Sequence, residues 1–204
     1  MQDSVSFVTY NASENRLVVF SDDTQPRWVT CSTMVDYNTV AATDRFGNIF
    51  VDRLDSTTSD QVDDNPSGFG RRRDNKTPFK TKLLGHFHVG DITTSLHKTP
   101  LEAGGREVLL YTALHGTIGA LVPFTSREDN NLLTLLEQHM RAEKVSLVGH
   151  DHLGWRGYYV PVKAVVNGDL CESYDMLDVP QEVMISNALN RSVEEVLETL
   201  SRLR

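Results

Sequence analysis

The stretch TIGALVPFTSREDNNLLTLLEQHM, residues 117–140, contains the change of pattern that decides the fold. Its first half, residues 117–124, is short and apolar, which predicts a strand. Beyond Ser126 the apolar residues recur at helical spacing, which predicts a helix. Ser126 and Asp129, three positions apart, fit a capping box. We therefore place both the start of this helix and a domain boundary at Ser126.

The sequence before this boundary contains alternating apolar segments separated by turn residues, a pattern typical of antiparallel β structure. We predict nine strands, at 5–9, 16–21, 28–35, 39–43, 49–51, 83–89, 92–97, 107–114 and 117–124. A closed β-propeller needs about sixteen strands. The strands therefore form either a small sandwich or part of a larger propeller. Residues from about 54 to 80 contain few apolar side chains, which predicts a long surface loop.

The sequence after Ser126 predicts further helices. Leu170, Tyr174 and Leu177 follow a helical spacing, and Asn167 is a candidate N-cap. Pro180 suits the first turn of a helix that continues to Leu189. A last helix follows a capping box at residues 192–195. We therefore expect two domains: residues 1–125 as a partial β-propeller with its last blades, and residues 126–204 as a small C-terminal helical domain.

The composition excludes several functional classes. The chain has 204 residues, with 20 basic and 28 acidic side chains, and a net charge of −8. A protein that coats duplex nucleic acid usually has a basic excess, which is missing here. The two cysteines, Cys31 and Cys171, form no disulfide framework, which suggests a reducing compartment. The chain contains no apolar run long enough for a membrane helix.

Candidate chemical sites are few. His86 and His88 share one face of a strand, so they could bind a metal with His97 or His115, but no cysteine or carboxylate spacing supports such a site. The loop His150–His152 gives the same weak signal. We expect no catalytic site, no metal and no cofactor, so we predict that the protein is not an enzyme. The basic cluster Arg71, Arg72 and Arg73 could contact RNA or be a solvated loop.

Several motifs resemble a known family. They are PRWVT at 26–30, DRFGNI at 44–49, GALVPFTSRED at 119–129, YYVPVK at 158–163 and GDLCE at 168–172. Together they resemble the family of DNA damage-binding protein 1 and the large subunit of the cleavage and polyadenylation specificity factor. Within it they are most similar to the splicing branch. Family members have three β-propellers and a C-terminal helical domain. The resemblance thus implies a mainly β fold with an α tail.

The resemblance also implies a function. Members of the splicing branch are non-catalytic scaffolds in the splicing factor 3b complex of the nuclear U2 small nuclear ribonucleoprotein. The expected partners are a helical-repeat large subunit, a small subunit and upstream propeller blades of the same protein, with RNA contacted through the complex. The alternatives are a ubiquitin-ligase adaptor of the DNA damage-binding protein 1 type, or direct RNA binding through the basic loop. Trp, Tyr and Arg dominate interface hot spots. The candidate contact residues are Arg27, Trp28, Trp155, Arg156, Tyr158 and Tyr159.

Overall fold

The computed structural model describes residues 4–65, 77–146 and 149–203. These residues form β sheets followed by helices, an arrangement compatible with propeller-like blades. The chain divides into two compact units. Unit 1 comprises residues 1–121 and 157–164, and unit 2 comprises residues 122–156 and 165–204. The return of residues 157–164 to unit 1 differs from the single boundary expected at Ser126.

Unit 1 contains the strands. They are β1 (Ser6–Asn11), β2 (Arg16–Asp22), β3 (Val29–Asp36), β4 (Thr39–Asp44), β5 (Asn48–Arg53), β6 (Phe79–Lys80), β7 (Lys82–His88), β8 (Thr93–Pro100), β9 (Glu107–Ala113) and β10 (Ile118–Leu121). They form three sheets with the orders β1-β2-β6, β3-β4-β5-β7 and β10-β9-β8. The neighbours pair antiparallel, except β2 and β6, which pair in parallel. All nine predicted strand segments contain a strand, and β6 is additional.

The core of unit 1 is centred on β4, which is buried along its whole length. One cluster contains Val40, Ala42 and Phe50, and a second contains Phe20, Leu54 and Val62. Strands β3 and β8, from different sheets, lie against each other. Tight turns connect β3 to β4 and β4 to β5, whereas α1 and β6 lie between β5 and its partner β7 in the sequence.

Part of the predicted loop at about 54–80 is a helix, so this prediction is wrong for residues 56–64. Helix α1 (Ser56–Asp64) begins after Asp55, whose carboxylate accepts a hydrogen bond from the Thr57 amide at 2.9 Å. Leu54 and Val62 are buried against Phe20. A polar segment thus becomes helical through its cap and two buried apolar side chains. Residues 66–76, including Arg71–Arg73, lie outside the described residues.

Unit 2 contains the remaining helices. They are α2 (Arg127–Glu143), α3 (His152–Arg156), α4 (Gly168–Glu172), a short 3-10 helix (Ser173–Met176), α5 (Val179–Ala188) and α6 (Val193–Leu203). Their shared core includes Leu136, Met140, Tyr174, Ile185 and Val196, all almost fully buried. The sequence did not predict α3, which is only five residues long.

The predicted caps explain where the helices begin. The Ser126 hydroxyl accepts hydrogen bonds from two amides in the first turn of α2. At the start of α6 the Glu195 amide donates a hydrogen bond of 3.2 Å to the Ser192 hydroxyl. The Ser192 amide donates one of 3.1 Å to the Glu195 carboxylate. Asn167 accepts a hydrogen bond from the Leu170 amide at the start of α4. No helix in the described ranges is both long and apolar enough to span a membrane.

Candidate protein-interaction site

Four exposed aromatic side chains of unit 1 form the aromatic cluster, which consists of Trp28, Phe46, Tyr158 and Tyr159. The exposed fractions of their surfaces are 50%, 39%, 47% and 69%, respectively. The ring centroids of Trp28 and Phe46 are 6.2 Å apart, those of Phe46 and Tyr159 are 5.2 Å apart, and those of Tyr158 and Tyr159 are 4.5 Å apart. These distances are typical of favourable aromatic pairs. The cluster is therefore a continuous aromatic surface that remains accessible to solvent.

Arg45 adds a cationic edge to the aromatic cluster. Its guanidinium carbon lies 4.1 Å from the centre of the Trp28 ring and 5.6 Å from that of Phe46. A guanidinium over an aromatic face is attracted by the ring quadrupole. The Arg45 amide also donates a hydrogen bond of 2.9 Å to the Trp28 carbonyl. Arg45 and Trp28 are thus connected through both backbone and side chain.

The turn between β4 and β5 positions Phe46. One carboxylate oxygen of Asp44 accepts hydrogen bonds from the amides of Phe46 and Asn48, at 2.9 and 3.0 Å. Gly47 has a φ of +84°, and a Cβ there would lie 2.7 Å from the Asp91 carbonyl oxygen. Only glycine suits this position, because both the conformation and the space exclude a side chain. The turn therefore holds Phe46 in a fixed place.

The segment 157–164 carries the two tyrosines and is attached to β7. The backbones of His86 and Lys163 form an isolated antiparallel bridge. The Lys163 ammonium also donates a hydrogen bond of 2.6 Å to the Leu83 carbonyl. Tyr159 has a positive φ of 69°, which is uncommon for a bulky residue. The hydrogen bond with Tyr158 raises the pKa of the Tyr159 hydroxyl, so this phenol is neutral near pH 7.

Arg27 lies in the interior of unit 1, next to the cluster in sequence but not at the surface. Only 5% of its surface is exposed. Its Nε atom lies 2.7 Å from the Asp23 carboxylate, and its guanidinium carbon lies 3.8 Å from the centre of the Phe50 ring. This arrangement pairs a buried charge with a buried counter-ion within the fold. We therefore leave Arg27 out of the proposed contact surface.

Two further buried titratable groups lie near Arg27. Burial raises the pKa of Asp52 to about 7, and the nearby Asp23 carboxylate adds to the effect. Burial lowers the pKa of His86 to about 4, and Arg27 adds to that effect. Neither carboxylate oxygen of Asp52 and neither ring nitrogen of His86 has a hydrogen-bond partner within the described part of the chain. Both groups are therefore neutral near pH 6.

Trp155 and Arg156 belong to unit 2, whereas Tyr158 and Tyr159 belong to unit 1. The Arg156 guanidinium lies 4.1 Å from the centre of the Trp155 ring. One of its nitrogens lies 3.7 Å from the Asp169 carboxylate. Both side chains are partly buried. The four residues are thus divided between the two units.

Arg45 and Phe46 were not among the predicted contact residues, although both lie in the DRFGNI motif at 44–49. A bulky aromatic residue in a tight turn between two strands is a signal that could have been used. For metals, residues 4–65, 77–146 and 149–203 contain no group of three or more His, Cys, Asp or Glu side chains suited to an ion. His115 instead pairs with Asp91 at 2.8 Å.

Comparison with known proteins identifies the family. Residues 1–176 match the family model described as the CPSF A subunit region. The whole chain is 50% identical to the pre-mRNA-splicing factor RSE1 of Mycosarcoma maydis, and 48% identical to the probable splicing factor 3B subunit 3 of Dictyostelium discoideum. It is 45% identical to splicing factor 3B subunit 3 of Danio rerio. In each case it spans 17% of the relative's length.

The chain therefore belongs to the CPSF A subunit family. The three relatives carry splicing-factor names, so the resemblance to the splicing branch is also confirmed.

Proposed function

We propose that this chain is part of a non-catalytic scaffold subunit of the splicing factor 3b complex, which acts in pre-mRNA splicing in the nucleus. The identity to splicing factors of the same family over the whole chain supports this proposal. The subunit would act by holding partners in fixed positions rather than by making or breaking bonds. RNA would be contacted indirectly, through the assembled complex.

The proposed architecture is a set of blades of a larger β-propeller, followed by a helical domain. Three features support it. The four-stranded sheet has neighbouring antiparallel strands, as a blade requires. Strands β3 and β8 of different sheets lie against each other, as the inner strands of adjacent blades would. The ten strands of the described residues are too few to close a propeller, and the relatives are much longer than this chain.

The aromatic cluster is the single observation that carries the proposed binding role. Large aromatic side chains bury much apolar area at a low cost in conformational entropy. The turn at Gly47 and the bridge between His86 and Lys163 already fix the backbone on both sides of the cluster. The surface is thus organised before binding, which lowers the cost of association. The proposed partner is the helical-repeat or the small subunit of the complex.

Trp155 and Arg156 remain proposed contact residues on unit 2. Their stacked arrangement would present a flat face of mixed aromatic and cationic character. Such pairs are frequent at interface hot spots.

A pull-down from nuclear extract tests the proposal. The bait is the full-length protein in its natural form and as a Trp28→Ala/Tyr159→Ala variant. We expect the natural protein to recover splicing subunits, and the variant to recover about tenfold less of at least one of them. The matched control is Tyr37→Ala. Tyr37 is about as exposed as Tyr159, at 71%. It comes directly after the end of β3, whereas Trp28 comes directly before its start.

Two results would count against the proposal. Recovery of a cullin in place of splicing subunits would assign the chain to ubiquitin-ligase adaptors. Equal recovery by the Trp28→Ala/Tyr159→Ala variant and the Tyr37→Ala control would remove the aromatic cluster from the binding surface.

A further inference from the structure

Helix α5 of unit 2 exposes its apolar side chains and turns its polar ones inward. Its exposed positions are Val179, Pro180, Val183, Met184, Asn187 and Ala188, of which only Asn187 is polar. Its less exposed positions are Gln181, Glu182, Ile185 and Ser186, of which only Ile185 is apolar. A surface helix normally has the opposite arrangement. The outer face of α5 therefore has the composition of a covered surface.

The exposure on this face is large. Val179 is 70% exposed, Val183 is 44% exposed and Met184 is 55% exposed. Met176, three residues before the helix, is 76% exposed. Contiguous exposed apolar residues of this kind mark interaction sites. Methionine is also common on surfaces that accommodate helices, because its side chain adapts to irregular shapes.

Hydrogen bonds fix the rotation of α5, so the helix cannot turn to bury these residues. The side-chain amide nitrogen of Gln181 donates a hydrogen bond of 3.2 Å to the Glu143 carboxylate of α2. The Tyr174 hydroxyl donates to the Glu182 carbonyl at 2.9 Å. The capping box of Asp178 and Gln181 holds the start of the helix. The apolar face therefore points outward as a consequence of defined contacts.

The segment that carries this face is acidic, and Arg191 follows only at the end of α5. Between Ala164 and Asn190 the sequence contains no lysine or arginine. The same stretch contains the carboxylates Asp169, Glu172, Asp175, Asp178 and Glu182. A second copy of the chain would bring the same carboxylates against each other, and like charges disfavour such a contact. An RNA or an anionic membrane would be repelled for the same reason. The charges therefore select a basic occupant.

We propose that the outer face of α5 binds a basic amphipathic α-helix, with apolar residues on one face and lysine or arginine residues beside them. The side chains of Val179 and Val183 are one helical turn apart and form a ridge suited to the groove of another helix. The basic residues would lie near the carboxylates at the start of α5. This site lies on unit 2 and does not depend on the aromatic cluster or on the splicing role.

The test uses a fluorescent amphipathic peptide of about 14 residues, built from leucine and lysine at helical spacing, because shorter peptides form poor helices. Its binding to the full chain is measured by fluorescence anisotropy. We expect the Val183→Gln/Met184→Gln variant to bind about tenfold more weakly than the natural chain. A Leu135→Gln variant is the matched control, since Leu135 is an exposed residue of α2. Its affinity should change less than about twofold.

A second peptide separates the apolar from the electrostatic contribution. In this peptide glutamate replaces lysine at every position. We expect it to bind at least about tenfold more weakly than the lysine peptide. Hydrogen exchange on the natural chain gives an independent measurement, because the lysine peptide should slow exchange of the α5 amides.

The proposal is overturned if the lysine and glutamate peptides bind with equal affinity, or if the lysine peptide leaves the exchange rate of the α5 amides unchanged. It is also overturned if the Val183→Gln/Met184→Gln and Leu135→Gln variants lose the same affinity. Self-association of the chain that the Val183→Gln/Met184→Gln variant abolishes would also overturn it, in favour of a second copy.

Discussion

The backbones of His86 and Lys163 exchange two hydrogen bonds, each 3.0 Å long. They attach the segment 157–164, which carries Tyr158 and Tyr159, to strand β7. The segment follows α3 of unit 2, yet belongs to unit 1. The position of the aromatic cluster therefore depends on a contact between residues far apart in sequence.

Replacing Lys163 by proline should loosen this segment. Proline has no amide proton, so the hydrogen bond to the His86 carbonyl is lost. We expect exchange of the His86 amide with solvent to accelerate by about tenfold, which corresponds to roughly 1.4 kcal/mol. Amide exchange measured by NMR checks this. The control is Lys163→Ala, which retains both backbone bonds and loses only the side-chain bond to Leu83. Slow exchange in the proline variant would contradict the assigned role of the bridge.

Removal of the Arg27 charge should destabilise unit 1 strongly. Asp23 and Arg27 are both buried, so Arg27→Met leaves a buried carboxylate without its counter-ion. We expect a loss of about 3–5 kcal/mol in the free energy of unfolding, measured by urea titration. The matched control is Arg53→Met, which breaks an exposed pair with Asp36 and should cost less than about 1 kcal/mol. Similar losses in the two variants would show that Arg27 is not held as described.

Asp52 should give the stability an unusual dependence on pH. Its folded-state pKa of about 7 lies above the ordinary value of 3.8. The folded protein thus holds the proton more tightly, and the contribution of Asp52 to stability falls as the pH rises from about 4 through about 7. We expect Asp52→Asn to become more stable relative to the natural chain over this range, by at most roughly 4 kcal/mol. Urea titrations at several pH values measure this difference.

His86 acts with the opposite sign in nearly the same pH range. Its folded-state pKa of about 4 lies below the ordinary value of 6.5, so its contribution to stability rises as the pH rises from about 4 to about 6.5. The two contributions offset each other in the natural chain. His86→Gln should therefore reveal the falling contribution of Asp52. A pH-independent difference between either variant and the natural chain would contradict the burial of that group.

The two cysteines should differ in reactivity. Cys171 is fully buried in the core of unit 2, and burial raises the pKa of its thiol to about 12. Cys31 is only partly buried. We expect a thiol reagent at pH 8 to modify Cys31 in the folded chain and Cys171 only after denaturation, because the thiolate is the reactive form. The Cys31→Ser variant isolates Cys171. Rapid modification of that variant under native conditions would contradict the packing of unit 2.

Local patterns in the sequence predicted most of the regular structure. Alternating apolar residues marked the strands, and the side chains of Ser126, Asn167 and Ser192 marked the starts of helices. Helix α1 was missed because its residues are almost all polar, and its stability depends on burial of Leu54 and Val62 against a distant strand. Short-range propensity carries no information about such a contact.

The candidate site was only partly predictable, for the same reason. Residue type alone suggested Trp28, Tyr158 and Tyr159. The contact of Tyr159 with Phe46 joins segments more than a hundred residues apart. No spacing in the sequence reveals that contact. The burial of Arg27 was equally unpredictable. An arginine beside a tryptophan is typical of an exposed contact site, and only the positions of Asp23 and Phe50 show that Arg27 is buried.

The route of the chain between its units limits how this region can be divided or inherited. The polypeptide passes from unit 1 to unit 2 after residue 121, returns at residue 157 and leaves again after residue 164. A recombinant protein that stopped at residue 125 would lack both tyrosines and the partner of His86. Gene rearrangement with one breakpoint between the sheets and α2 would likewise separate β7 from its bridge. A division that preserves the bridge between His86 and Lys163 must therefore fall outside residues 86–163.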